Sequence, residues 1–296
     1  MADAFALWPA SRALIRIDGP DARAFLQGIV SNDVDKVSPA RAVYAALLTP
    51  QGKYLHDFFI AEHEGALWLD CEAGRRDDLL RRLARFKLRS KAALAPGPDG
   101  FAVAVVYGPG ALTACGLGGE RGTARSLAGG VAYVDPRLAE IGVRAMLPST
   151  ARDVLAGKGV APGSVADYDN LRIRNGLPDG SRDLEVEKSI LLENGFDELA
   201  GVDWDKGCYM GQELTARTHY RALIKKRLVP VEVHGPAPEP GTPVMAGAAE
   251  AGVMRSAGDG IALALLKTEA LGGEAPLTAG AARLVPRMPI WLKIAG

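Results

Sequence analysis

The segment richest in chemistry is Lys206-Gly-Cys-Tyr-Met-Gly-Gln-Glu213, which runs on through Leu214-Thr-Ala-Arg-Thr-His219. Gly207 and Gly211 permit tight turns or close backbone approach, and Gln212-Glu213 open a predicted helix. Cys208 then stands just ahead of a helix N-terminus and near Lys206, where the positive end of the dipole and an ammonium both favour thiolate over thiol. A thiolate is a nucleophile and a soft metal ligand. The competing reading makes Cys208 a small buried hydrophobe, since free cysteine is among the most buried residue types. His219 lies 11 residues after Cys208. If a helix continues through 213–220 it projects near the thiolate as hydrogen-bond partner or ligand; the alternative is an exposed helix-end histidine.

The other two cysteines, Cys71 and Cys115, fall in strand-like and apolar-helical contexts and read as core residues. Three widely separated cysteines with no C-x-x-C pair give neither a disulfide framework nor a self-contained metal site, so a bound metal needs ligands from another molecule. Arg81, Arg82, Arg85, Lys87, Arg89 and Lys91 form a basic cluster that suits an anionic ligand, or a solvated helix face.

The elements that position these residues are short. Residues 18–30 read as a helix capped by Asp18, with Pro20 in its first turn and Phe25, Leu26 and Ile29 on one face. Strands are predicted at 42–49, 54–61 and 66–71, separated by turn chemistry at Pro50-Gln-Gly52 and Glu62-His-Glu-Gly65. Residues 75–91 switch to helical period, with Leu79, Leu80, Leu83 and Phe86 turned towards the sheet. Strands at 101–107, 131–134 and 141–146, with a helix after Gly108, make a second α+β unit. From Lys225 onward, strand candidates at 228–233, 252–255, 260–266 and 282–285 between Gly/Pro turns predict a small barrel. The expected division is a first domain over 1–226, holding two α+β subdomains, and a β-barrel over 227–296.

At 296 residues and 48% hydrophobic, the chain can bury a substantial core. Its 35 basic and 35 acidic residues cancel, which argues against a protein that coats nucleic acid or an anionic membrane; any polyanion site is local. Apolar runs are too short to cross a bilayer, and the first residues have neither signal-peptide layout nor an Arg-rich, acid-poor character, so the expected address is cytoplasmic.

KGCYMGQE matches the K-G-C-Y-x-G-Q-E signature of the YgfZ family of folate-binding iron–sulfur assembly factors. The continuation ELTARTH with Ile224-Lys-Lys-Arg227 resembles its mitochondrial-type branch. Phe25-Leu-Gln-Gly28, Ser31-Asn-Asp-Val34, Leu48-Thr-Pro-Gln-Gly-Lys53, Arg85-Phe-Lys-Leu-Arg-Ser-Lys91, Asp135-Pro-Arg-Leu138 and Leu171-Arg-Ile-Arg-Asn-Gly-Leu-Pro178 extend the likeness over nearly the whole chain. The resemblance implies an α+β fold like the glycine-cleavage T-protein: antiparallel sheets with packed helices around a central channel, plus a C-terminal β-barrel. It implies tetrahydrofolate or a derivative as ligand and Cys208 as the functional thiol, transiently holding an iron–sulfur cluster with a partner and with His219 as a weaker ligand candidate. Cofactor contacts are expected from Arg172, Tyr168, Arg89, Lys206, Gln212 and Glu213. Implied partners are A-type iron–sulfur carriers and client iron–sulfur enzymes, including those of tRNA modification, with no direct nucleic-acid or membrane contact. T-protein has two adjacent aspartates where this chain has His56-Asp57, and its acidic pterin stretch is here Ala139-Glu140-Ile-Gly-Val143. Asp57 therefore reads either as a general base for folate-dependent one-carbon transfer, the alternative function, or as a turn residue at a strand end.

Overall fold

The computed structural model describes residues 3–221, 224–273 and 275–293. The chain folds into two interleaved compact units, one made of residues 1–48, 55–165 and 199–210, the other of 49–54, 166–198 and 211–296.

The first unit holds two sheets. One runs in the order Val43–Leu48, Tyr54–His63, Ala66–Glu72, Arg12–Asp18, Ala93–Pro96. The other runs Ala161–Pro162, Phe5–Leu7, Phe101–Tyr107, Val143–Pro148, Gly130–Val134, Ala124–Leu127. Its pairings are antiparallel except for the parallel pair of Phe5–Leu7 with Ala161–Pro162. Val43–Leu48 is buried along its whole length and Tyr54–His63 along its first eight residues, the pattern of strands covered on both faces. Helix Arg76–Lys87 covers one face, sinking Leu79 and Leu83. The other face meets the second sheet through ring contacts such as Trp68 with Phe101 and Phe59 with Tyr133.

The second unit contains a closed six-stranded barrel, in the order Lys226–His234, Ile261–Lys267, Ala249–Ala257, Pro243–Ala246, Leu277–Ala279, Ala282–Pro286. Val229, Val231, Val244, Met254, Ala264 and Leu284 fill it. Leu228, Leu263 and Leu265 form a separate cluster with Ile173 of helix Val165–Arg174, so the barrel's outer wall is covered there as well.

Two predicted helices are shorter than expected, for local reasons. The first spans only Ala22–Gln27, because Asp18 still belongs to a strand and its carboxylate accepts the Gly19 N–H at 2.8 Å instead of capping a helix. The second stops at Lys87 because Leu88 turns to φ 45°, which breaks the helical path. Two barrel strands, Pro243–Ala246 and Leu277–Ala279, went unrecognised because neither is long enough to show alternation.

Candidate functional site: the Cys208 loop and the layer beneath it

Loop 199–210 is laid onto residues 27–36 by a dense set of hydrogen bonds within the first unit. Ser31 Oγ donates to Gly201 O at 2.6 Å and accepts the Ala46 N–H at 2.8 Å. Asn32 Nδ2 donates to Ala200 O at 2.7 Å and to Tyr44 O at 2.6 Å, and the Asp203 N–H reaches Ser31 O at 3.1 Å. The Asp203 carboxylate folds the turn into the motif by accepting the N–H groups of Asp205 and Lys206 at 3.0 and 3.1 Å, and it pairs with Lys36. Burial opposes its charge, but Lys36 and the two N–H donors prevail and keep its carboxyl below the ordinary aspartate range.

Lys206 is spent on this anchorage. Its ammonium donates to three carbonyl oxygens, Gln27 at 2.9 Å, Val30 at 2.7 Å and Asn32 at 2.7 Å, and lies 5.1 Å from the centroid of the Tyr209 ring. An ammonium carries three N–H donors, and here one meets the last carbonyl of helix Ala22–Gln27 while the other two meet carbonyls of the segment that follows it. Burial pulls its pKa down to about 8 against the pull of Asp33, Asp203 and Asp35. On the far side of the thiol, Tyr209 is buried and the Met210 N–H bonds to Gly28 O at 3.1 Å. Cys208 itself is exposed and free of any disulfide. An open thiol thus stands on a loop pinned on both sides. The buried alternatives are inert: burial pushes Cys71 up to about 12 and Cys115 up to about 11.

Beside the loop lies a cavity of about 320 Å³ with Asn32, Lys36, Arg41, Val43, Arg121 and Asp203 among its walls. Between the two sheets lies a layer of buried charge. Asp70, fully buried, takes Arg12 Nε at 2.7 Å on one oxygen and Arg144 Nη2 at 2.5 Å on the other, joining one sheet to the other. The Arg144 and Arg137 guanidinium carbons sit 4.0 and 4.9 Å from the centroid of Phe59, and Arg137 is held by Asp135. Asp57 belongs to this layer. It is buried within its strand and accepts the Tyr44 hydroxyl at 2.7 Å, which corrects the reading of a turn residue at a strand end. His56, one residue earlier, faces the helix on the opposite side of the strand and meets Asp78 at 2.9 Å.

The remaining expected residues belong to the second unit, apart from Arg89, which is exposed just beyond helix Arg76–Lys87. Gly211, at φ 79°, precedes helix Gln212–Tyr220, which Gln212 and Glu213 open as expected. A Cβ on Gly52 would stand 2.6 Å from Leu214 Cβ and 2.7 Å from Gly211 O, so the turn at 50–52 and the helix start need glycine there. His219 lies against Asp197 at 3.2 Å. Arg172 is buried, donating to Asp169 at 2.6 Å and to Asp183 at 2.9 Å, while Asp183 also takes the Ser256 hydroxyl of the barrel. Two carboxylates thus pair with Arg172, yet Nη2 remains buried with no acceptor among the described residues. Tyr168 stands four residues earlier on the same helix face. Ser31 and Asn32 stood out only as part of a stretch resembling the family, and Asp203 not at all: their roles in shaping the thiol's loop rest on contacts made up to 172 residues away.

Two family models match the chain, the "GCVT N-terminal domain" over residues 10–114 and the "CAF17, C-terminal beta-barrel domain" over residues 225–294. The human protein named iron-sulfur cluster assembly factor IBA57, mitochondrial, is 34% identical over 280 residues, covering 88% of this chain and 77% of that protein. Its mouse counterpart is 32% identical, covering 93% and 80%. The chain belongs to the IBA57 family. That agrees with the YgfZ-type signature around Cys208. The crystal structure of glycine cleavage system aminomethyltransferase T from Bartonella henselae superposes with a TM-score of 0.77 over 98% of this chain and 87% of that one, at 16% identity. The T-protein-like fold with a closed C-terminal barrel is therefore the fold of this IBA57-family chain. The cytoplasmic expectation is corrected: the human and mouse relatives are named mitochondrial, pointing to the mitochondrion and not the cytoplasm. The composition of the first residues was too weak a guide to an address.

Proposed function

We propose that this chain is a folate-binding accessory factor in the assembly of iron–sulfur proteins, chiefly those with [4Fe–4S] clusters, and that it acts through Cys208. The observation that carries the reading is the loop itself: an exposed thiol fixed from both sides by Lys206, Asp203 and Met210, in a family whose human and mouse members are named iron–sulfur cluster assembly factors. Anchoring lowers the entropy lost when the thiol engages a partner, the usual benefit of a preorganised site. The cluster is cargo in this account. Cys208 binds one iron by exchange with a thiolate of an A-type carrier: an iron–sulfur bond to the carrier breaks, one to Cys208 forms, and the Cys208 proton passes to the departing sulfur. Among the described residues no three His, Cys, Asp or Glu side chains converge on a metal position, so the partner supplies the other ligands.

Reduced folate, when bound, supplies a redox-active, one-carbon-accepting pterin. A folate needs a flat cavity with fixed donors and acceptors, and cations for its glutamate. Arg172 fits that need, since Asp169 and Asp183 fix its guanidinium while Nη2 is left for a ligand carbonyl or carboxylate. Tyr168 on the same face adds a stacking surface. Lys206, Gln212 and Glu213 instead shape the loop and the helix that follows it. One-carbon transfer has less support, because Asp57 is enclosed between the sheets and already bound by Tyr44.

The test is complementation of a deletion strain with wild-type chain or Cys208→Ala, reading a labile [4Fe–4S] enzyme and a radical-type tRNA modification. Loss of both with the variant at normal abundance supports the reading; full activity refutes the role of the thiol.

A further inference from the structure

Helix Arg76–Lys87 ends in an exposed strap whose composition the fold does not use. Arg81 and Arg82 are paired with Asp78, but Arg85, Lys87, Arg89 and Lys91 make no ion pair or side-chain hydrogen bond among the described residues. Between them stand Phe86, 39% exposed, and Leu88, 89% exposed. Four unpaired cations around two bare apolar side chains is an unusual concentration on a chain whose charges otherwise balance. Leu88 is also strained: at φ 45° and ψ −111° it holds a backbone conformation suited to glycine, yet it carries a large side chain into solvent.

The strap is held in shape. The Lys91 N–H bonds to the Asp21 carboxylate at 2.7 Å and the Ser90 N–H to Lys87 O at 2.8 Å. A Cβ on Gly19 would come within 2.3 Å of Lys91 O, so the two segments touch backbone to backbone.

We propose that residues 85–91 form a docking surface for a protein partner that presents carboxylates around an apolar patch. This rests on the assembly reading above, in which an iron–sulfur carrier must approach the chain. A protein partner is favoured over a lipid surface because the helix's apolar stripe is already committed: Leu79 and Leu83 are fully buried against the sheet, leaving two side chains and no amphipathic face to lie in a bilayer. Arginines around an exposed apolar anchor are also the usual make-up of the energetic centre of an interface.

The experiment titrates the purified full chain with a [2Fe–2S]-loaded A-type carrier at several salt concentrations, for wild type, Arg85→Glu/Arg89→Glu and Leu88→Gly. Glycine meets no strain at φ 45°, so Leu88→Gly keeps or raises stability, and any weakening of its binding is not misfolding. The expected result is at least a tenfold loss of affinity and a flatter salt dependence for the double variant, with a several-fold loss for Leu88→Gly. Wild-type binding that neither substitution changes overturns the docking surface while leaving the assembly reading in place. No binding by wild type overturns the carrier step of that reading and this surface with it. Two further probes separate the remaining sources of negative charge. Should the double variant lose affinity for vesicles of phosphatidylglycerol and cardiolipin, or for a folyl-polyglutamate, while the carrier still binds normally, the surface serves that ligand and the protein-docking proposal fails.

Discussion

Lys206 ties the motif to the body of the first unit, since its single ammonium serves three carbonyls at and just beyond the end of helix Ala22–Gln27. The carbonyls it serves lie 174 to 179 residues earlier in the chain, which is why a sequence window cannot show the role. Replacing it with methionine keeps most of the apolar stem and leaves three carbonyls short of a donor. Lys206→Met is expected to lower stability in urea by roughly 2–3 kcal/mol and to loosen the Cys208 loop, read as faster amide exchange over residues 199–210. A stability within about 0.5 kcal/mol of wild type would show that the carbonyls find water instead. Cys208 stood out as a candidate because few residue types do its chemistry and the signature around it is long. Asp203 and Asn32 are as necessary to the loop but are common residues whose partners only folding brings near.

At the scale of elements, the strand Tyr54–His63 divides two environments. His56 faces helix Arg76–Lys87, where burial and Arg75 pull its pKa down to about 4 despite Asp78. A histidine kept neutral in the fold but protonated when unfolded near 6.5 stabilises the fold above that pH, and the contribution is lost as pH falls towards 4. From pH 7 to pH 5 the wild type should lose about 2 kcal/mol through this group. His56→Gln should remove that slope in urea titrations at the two pH values; an unchanged slope assigns the acid sensitivity to other groups. On the opposite face, Asp70 joins the sheets through Arg12 and Arg144. Asp70→Asn removes the buried carboxylate that Arg12 and Arg144 share and is expected to cost about 3–5 kcal/mol, seen as a drop in the thermal midpoint. A loss under 1 kcal/mol would mean that the phenyl face of Phe59 and backbone carbonyls carry those cations. The strands were readable from their apolar runs, but the charge layer was not, because an Asp or Arg inside a strand looks the same whether it faces water or a second sheet. Helix ends were misjudged for the same reason: Asp18 and Leu88 act through turns that composition does not reveal.

For the whole molecule, the α+β body and the C-terminal barrel were legible from strand spacing and from the signature, and the family matches agree with both. The interleaving of the two compact units was not legible, since segments 49–54 and 166–198 leave their sequence neighbours to join the barrel unit. Along the sequence the boundary falls inside the motif: Met210 ends the last segment of the first unit and Gly211 begins the last segment of the second. We propose that the pinned loop exists to hold a working thiol at Cys208. This role is tested most directly by the activity of a labile [4Fe–4S] enzyme in a deletion strain carrying Cys208→Ala at normal protein abundance. The account predicts activity no better than in the empty deletion strain. Wild-type activity from that variant would contradict it.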